Sequence, residues 1–313
     1  MAEKMATREA YGNALVEFGE KYEDLVVLDA DVSSATKTAA FGKKFPERFI
    51  NCGIAEGNMV SVAAGIATTG KIPFASSFAM FAAGRAFEPI RNAIGYPHLN
   101  VKIGATHAGI TVGEDGATHQ CCEDIGIMRT IPGMTIINPA DGVEARAAVE
   151  AAILYKGPVY LRFGRLSIPV IFDKETYKFE MGKGIQINEG KDASIIATGL
   201  MVIEAIKARE ILAADGIDAA VVNIHTIKPI DKNIIINAAK TGLIVTAEEH
   251  NIIGGLGSAV AEVLVENSPC LMGRIGIKDE FGRSGKAEEL MKIYGITADD
   301  IVKKVKELIK SKK

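Results

Sequence analysis

Short apolar runs recur down this chain, each followed by residues with helical spacing, and this alternation limits the fold more than any other feature. Residues 25–28, 48–51, 72–75, 101–104, 134–137 and 158–161 read as strands. Between them, residues 6–22 carry Ala10, Leu15, Val16 and Phe18 as a buried helical stripe. Small residues dominate a second helix over 58–69, and a long helix is expected to open at Ser77 and reach about Ile94. Strands that alternate with helices imply a parallel sheet covered on both faces. The pattern loosens between Phe172 and Lys191, where the domain linker is expected. It resumes with strands at 193–197, 219–223 and 243–247 and ends on an amphipathic helix over 299–310. The expected fold class is α/β, with two consecutive three-layer domains at 1–185 and 186–313.

A length of 313 residues accommodates two such domains. The net charge of −3 leaves no electrostatic footprint for nucleic acid or an anionic membrane. Four cysteines without metal-ligand spacing suit a reducing cytoplasm, and no metal site is expected on this chain. Glu3, Arg8 and Glu9 near the start do not form a signal peptide, and no apolar run spans a bilayer.

The chemistry-bearing residues concentrate after the fourth strand. There the chain reads Ala105-Thr-His107-Ala-Gly-Ile-Thr-Val-Gly-Glu114-Asp115-Gly-Ala-Thr-His119-Gln120, with two of the five histidines and two acids in one glycine-punctuated loop. Ligands of open α/β sheets sit at the carboxyl ends of strands, so this loop is well placed to face one. Glu56, in Gly53-Ile-Ala-Glu56-Gly57, stands at a strand-to-helix junction among apolar neighbours. Burial there raises a carboxyl pKa, although an acid in a first helical turn is more often a cap. Phe78 and Phe81 are three apart, the spacing of one helical face and ordinarily of core packing. Arg8 in a first helical turn gains nothing from the helix dipole; it is either a surface charge or an anion ligand. Asp141 is a plausible N-cap, and Gly254-Gly-Leu-Gly257 reads as a tight helix entry rather than a nucleotide loop.

The 107–120 string resembles the transketolase signature His-x-x-x-x-Val-Gly-Glu-Asp-Gly-x-Thr-His-Gln, residue for residue. The Gly-x-x-Glu element at Glu56 and the Phe-x-x-Phe at Phe78 and Phe81 match the same family, and Glu248–Gly257 resembles its carboxy-terminal domain. The resemblance implies thiamine diphosphate as cofactor, with Glu56 on the aminopyrimidine ring and Phe78 and Phe81 holding that ring. It also implies cofactor contacts at Asp31 and Val32, sugar hydroxyls on Asp115 and His119, and a sugar phosphate on Arg8, His107 and Arg165. Glu56, His107 and His119 are then the catalytic set. Ketol transfer leaves a carbanion that side chains stabilise poorly and a thiazolium accepts.

The similarity covers only the second half of an ordinary transketolase. The segment that binds diphosphate and Mg²⁺ has no counterpart here, which implies a separate amino-terminal subunit carrying that site and an assembly of two copies of each chain. Deoxyxylulose-phosphate synthases and 2-oxo-acid dehydrogenase β subunits share the glutamate but lack the Thr-His or Gly-Glu-Asp-Gly-x-Thr-His elements. Ala35 stands where transketolases usually have a phosphate-binding serine, and Gly84 where many have a tyrosine. Ser34, Thr36 or Lys37 could replace the missing donor, and a modified sugar is the alternative substrate.

Overall fold

The computed structural model describes residues 3–312; the outermost residues of the two expected domains, 1–2 and 313, lie outside it. Its strands are β1 Lys4–Ala6, β2 Leu25–Asp29, β3 Phe49–Asn51, β4 Ile72–Phe78, β5 Lys102–Thr106, β6 Thr135–Ile137, β7 Val159–Arg162 and β8 Ser167–Pro169 in the first half. The second half adds β9 Ile185–Asn188, β10 Ala193–Ala197, β11 Ala219–Asn223, β12 Thr226–Lys228, β13 Leu243–Asn251 and β14 Leu271–Ile277. One sheet runs β12-β6-β7-β5-β4-β2-β3 and the other β14-β13-β10-β11-β9. Pairing is parallel except at two edges, where β12 lies antiparallel to β6 and β9 antiparallel to β11. The antiparallel pair β1–β8 stands apart and joins the entry of the first domain to its exit.

Two-sided burial follows from the strand pleat. In β2, Leu25 and Val27 enter a core with Tyr11, Leu15 and Phe18 of the helix Thr7–Lys21, while Val26 and Leu28 point into the opposite core. Tyr11 and Ala14 join the expected stripe on that helix, and Val16 is only half-buried. The opposite core does not stop at the first domain. Ile196, Val222, Ile244 and Leu256 from the second half belong to the same apolar cluster, so the two sheets share a core. The strand β12 tightens this join, because a second-half strand completes the edge of the first sheet. Among the described residues, no helix is long and apolar enough to cross a membrane.

One expectation is corrected. Ser77 and Phe78 end β4 instead of opening a helix, and the turns at Met80–Arg85 and Ile90–Gly95 are wide π turns on either side of a short α segment. A π turn holds an extra residue, so side chains leave it at angles that α spacing does not give, and such turns recur at functional sites. Asp141 caps the helix Gly142–Leu154 as expected, accepting from Glu144 N at 2.8 Å. Gly254-Gly-Leu-Gly257 is likewise a helix entry: the buried Glu248 carboxylate accepts from Leu256 N and Gly257 N at 2.6 and 2.8 Å. A Cβ on Gly255 would stand 1.9 Å from that carboxylate.

Candidate active site

The carboxyl ends of β2, β3, β4, β5 and β7 open on one side of the first sheet, and the expected site residues gather there. Thr106 ends β5, and His107 follows in a left-handed conformation (φ 56°). A non-glycine residue held there costs conformational energy, and such residues cluster at functional sites. Arg8 Nη1 lies 2.8 Å from His107 Nε2, and arginine can only donate, so Nε2 accepts and the imidazole is neutral with its proton on Nδ1. That Nδ1–H donates to Thr106 Oγ1 at 2.8 Å, and Thr106 Oγ1 in turn donates to Ser77 O at 3.5 Å. Burial, then the charges of Arg8 and Arg165, lower the His107 pKa to about 3. His107 therefore brings no positive charge to an anion; it orients Arg8, which also donates to Ala35 O at 3.0 Å.

Phe78 stacks on the His107 ring with centroids 3.8 Å apart and on Phe81 at 5.6 Å. His119 meets Phe81 edge-on at 5.3 Å, with its Nδ1 2.9 Å from Thr118 Oγ1. Asp115 pairs with Arg165 at 3.3 Å, and Arg165 Nη1 also donates to Val112 O at 2.6 Å. Arg8 and Arg165 line one groove. Asp31 (φ 64°) accepts from Asn51 Nδ2 at 2.9 Å, which ties the end of β2 to the segment that leads to Glu56. Val32 N is engaged by Asp29 Oδ1 at 2.7 Å. Thr36 donates to Asp29 Oδ2 at 2.7 Å, so its hydroxyl proton is committed and does not replace the donor missing at Ala35.

Glu56 opens the helix Glu56–Thr68 and is 4% exposed. Its carboxylate does not cap that helix. Among the described residues it pairs with Arg85 Nη1 at 3.1 Å, and the same guanidinium lies over the Phe81 ring at 4.2 Å. Sequence reasoning missed Arg85, which shares the π turn Met80–Arg85 with Phe81, where α-helical spacing is no guide to which side chains meet. A planar donor thus rests on Phe81 and bonds to Glu56. Glu56 and Phe81 together therefore offer an acceptor beside an aromatic face, the two contacts that a flat ring bearing N–H groups would use.

The second domain braces the loop. Glu249, 4% exposed near the end of β13, accepts from Thr111 N at 2.5 Å. Gly109 is required where it stands: at φ 83°, a Cβ would lie 2.3 Å from the Glu249 carboxyl carbon. Nothing in the local pattern of Glu248-Glu-His250 announced this reach of 138 residues. Burial pushes the Glu249 carboxyl up from 4.5 to about 7. Below the lower value both folded and unfolded chains hold the proton. Between the two values only the unfolded chain ionises, so this group's contribution to stability falls as pH rises through that window. Wild type is expected to lose more stability than Glu249→Gln between about pH 5 and pH 8, as thermal midpoints in matched buffers would report. Equal losses would show that Glu249 is already ionised in the fold.

Comparison with known proteins agrees with this arrangement. Residues 3–170 match the transketolase pyrimidine binding domain, and residues 182–301 the transketolase C-terminal domain. A protein described as a transketolase C-terminal section, from Methanocaldococcus jannaschii, is 56% identical over 97% of this chain and 96% of its own. The 6-deoxy-6-sulfo-D-fructose transketolase subunit of a Clostridium species is 44% identical over 97% of this chain and 95% of its own. Rat transketolase is 38% identical over 99% of this chain, which spans 50% of the rat protein. Among solved structures, a split-gene transketolase described as an inactive β4 tetramer superposes with a TM-score of 0.92 at 51% identity, covering 99% of this chain and 100% of that one. With both domains matched and whole-length relatives at this identity, the chain belongs to the transketolase family.

Proposed function

We propose that this chain is the pyrimidine-binding subunit of a split, thiamine-diphosphate-dependent transketolase. It moves a two-carbon ketol unit from a ketose phosphate to an aldose phosphate. A second, amino-terminal chain holds the diphosphate and Mg²⁺, and two copies of each chain assemble. The observation that carries this reading is an unbroken run of contacts from Glu56 through Arg85, Phe81, Phe78 and His107 to Arg8, with His119 against Phe81 and with Arg8 and Arg165 lining one groove. When bound, the cofactor supplies a thiazolium that takes up the electron pair of the broken carbon–carbon bond. Glu56 would hold and exchange a proton at the aminopyrimidine, and Phe81 would support that ring. His119 and Asp115 face sugar hydroxyls. Arg8, oriented by His107, and Arg165 receive the phosphate, arginine being suited to bidentate oxyanion contact.

A second reading has its own support. The position that usually donates a serine hydroxyl is Ala35, which offers only its backbone carbonyl to Arg8. A relative of similar length is named for a sulfonated sugar, and a sulfonate presents the same oxyanion face with less charge. One neutral donor is worth about 1 kcal/mol and a charge-assisted bond about 1.5–3 kcal/mol, so the two arginines outweigh the alanine and phosphate is preferred.

The test reconstitutes the chain with a diphosphate-binding partner, cofactor and Mg²⁺. The chain alone is expected to be inactive and the mixture active; full turnover without the partner would remove the split reading. In the mixture, Arg165→Ala is expected to lower kcat/KM about ten- to a hundredfold for a phosphorylated acceptor and little for its unphosphorylated counterpart. A wild type indifferent to phosphate would move the assignment to another acceptor.

A further inference from the structure

The groove lined by Arg8 and Arg165 has a volume of about 540 Å³, within the range of small-ligand sites. Its opposite wall is formed by the second domain, through Lys286, Glu288, Glu289 and Lys292. That wall is fixed to the glycine-rich loop at three points. Gln120 Nε2 donates to Arg283 O at 2.9 Å. Gly116 and Gly113 lie so close to 284–287 that a Cβ would stand 2.5 Å from Ser284 Oγ and 3.3 Å from Gly285 O, respectively. Lys286, between Gly285 and Ala287, is held at the rim by these contacts.

The two lysines differ in what their own helix needs. Lys292 is in the last turn of the helix Ala287–Ile293, where a cation complements the dipole. Lys286 immediately precedes the first turn, where a cation opposes it, and the acids that suit that end, Glu288 and Glu289, are already present. Among the described residues Lys286 is in no ion pair, whereas Arg165 is partly neutralised by Asp115 at 3.3 Å and Glu114 at 3.9 Å. Helix stability does not account for this lysine.

We infer that Lys286 is a specificity-determining residue, by which the second domain reads the anionic end of the sugar opposite Arg8 and Arg165. This rests on the phosphate reading above and extends it to a domain with no assigned part in the chemistry. An exposed lysine acts on such a ligand mainly through its charge, so the effect should follow charge and fade with salt.

The experiment uses the reconstituted enzyme with one aldose acceptor, phosphorylated and unphosphorylated, in wild type, Lys286→Glu, Lys286→Arg and Arg165→Ala. Lys286→Glu is expected to lower kcat/KM for the phosphorylated acceptor by about tenfold, mostly through KM, and to leave the unphosphorylated one unchanged. High salt should shrink the difference, and Lys286→Arg should behave as wild type. Equal losses on both acceptors mark a structural role and overturn the inference, as does no loss at all. If Arg165→Ala abolishes the phosphate preference while Lys286→Glu keeps it, the phosphate site stands and Lys286 has no part in it. A wild type without any preference overturns both.

Discussion

Glu56→Gln is expected to fold as the wild type does and to lower turnover of the reconstituted enzyme by roughly two or more orders of magnitude. The amide fills the same buried space, and its oxygen can still accept from Arg85 Nη1, now 3.1 Å from the carboxylate. No helix cap is lost, because the carboxylate does not serve as one. What the amide cannot do is exchange a proton with the cofactor ring. Deuterium exchange at the thiazolium carbon isolates that step from substrate binding and product release. Exchange at the wild-type rate would reduce Glu56 to a structural partner of Arg85 and remove it from the catalytic set.

Arg162→Leu is expected to lower the unfolding free energy by about 3–5 kcal/mol, the usual cost of removing one member of a buried ion pair. Arg162 and Asp124 are 3% and 0% exposed, with Nε 2.9 Å from Oδ2. Tyr160 donates to the same carboxylate oxygen at 2.9 Å. Arg162 Nη2 also serves the carbonyls of Cys121 and Glu249 at 3.3 and 2.9 Å, so one side chain joins the central sheet, the glycine-rich loop and the second domain. Its loss leaves the buried Asp124 carboxylate with only the Tyr160 hydroxyl and no counter-charge, and takes a donor from the Glu249 carbonyl, while Cys121 O keeps its bond from Gly109 N at 2.8 Å; the uncompensated charge is why the penalty exceeds that of an ordinary core change. Denaturant midpoints at constant slope measure it. Replacing both Arg162 and Asp124 with leucine should recover part of the loss, since a well-packed apolar pair is often no worse than the ion pair it replaces. A single-variant loss below about 1 kcal/mol would mean that water already compensates these groups.

Much of the arrangement was legible in the sequence because it is local. Burial on both faces of a strand is written as a continuous apolar run, as at Leu25–Asp29, and helix–strand alternation then leaves few sheet topologies. Caps are local too, and Asp141 was readable at its own position. The identities of Glu56, His107, Asp115 and His119 were carried by motifs of a few residues each. The reading failed at Phe78, where the strand runs on and π turns follow, because helical spacing cannot reveal an extra residue in a turn; it also missed β12, β14 and β9, the last lying in the stretch expected to be linker.

Protonation, partners and the use of the second domain were decided by tertiary structure alone. His107 is a neutral acceptor because the fold buries it and because Arg8, 99 residues away, points its N–H at Nε2. Glu56 has a guanidinium above Phe81 because a widened turn aims Arg85 back at it. Glu249 and Lys286 reach the glycine-rich loop from the second domain because the two sheets share one apolar core. Periodicity records how each residue meets its nearest layer. The charge state of a group depends on which charges and dipoles fold to within a few ångströms of it, and no local pattern contains that distance.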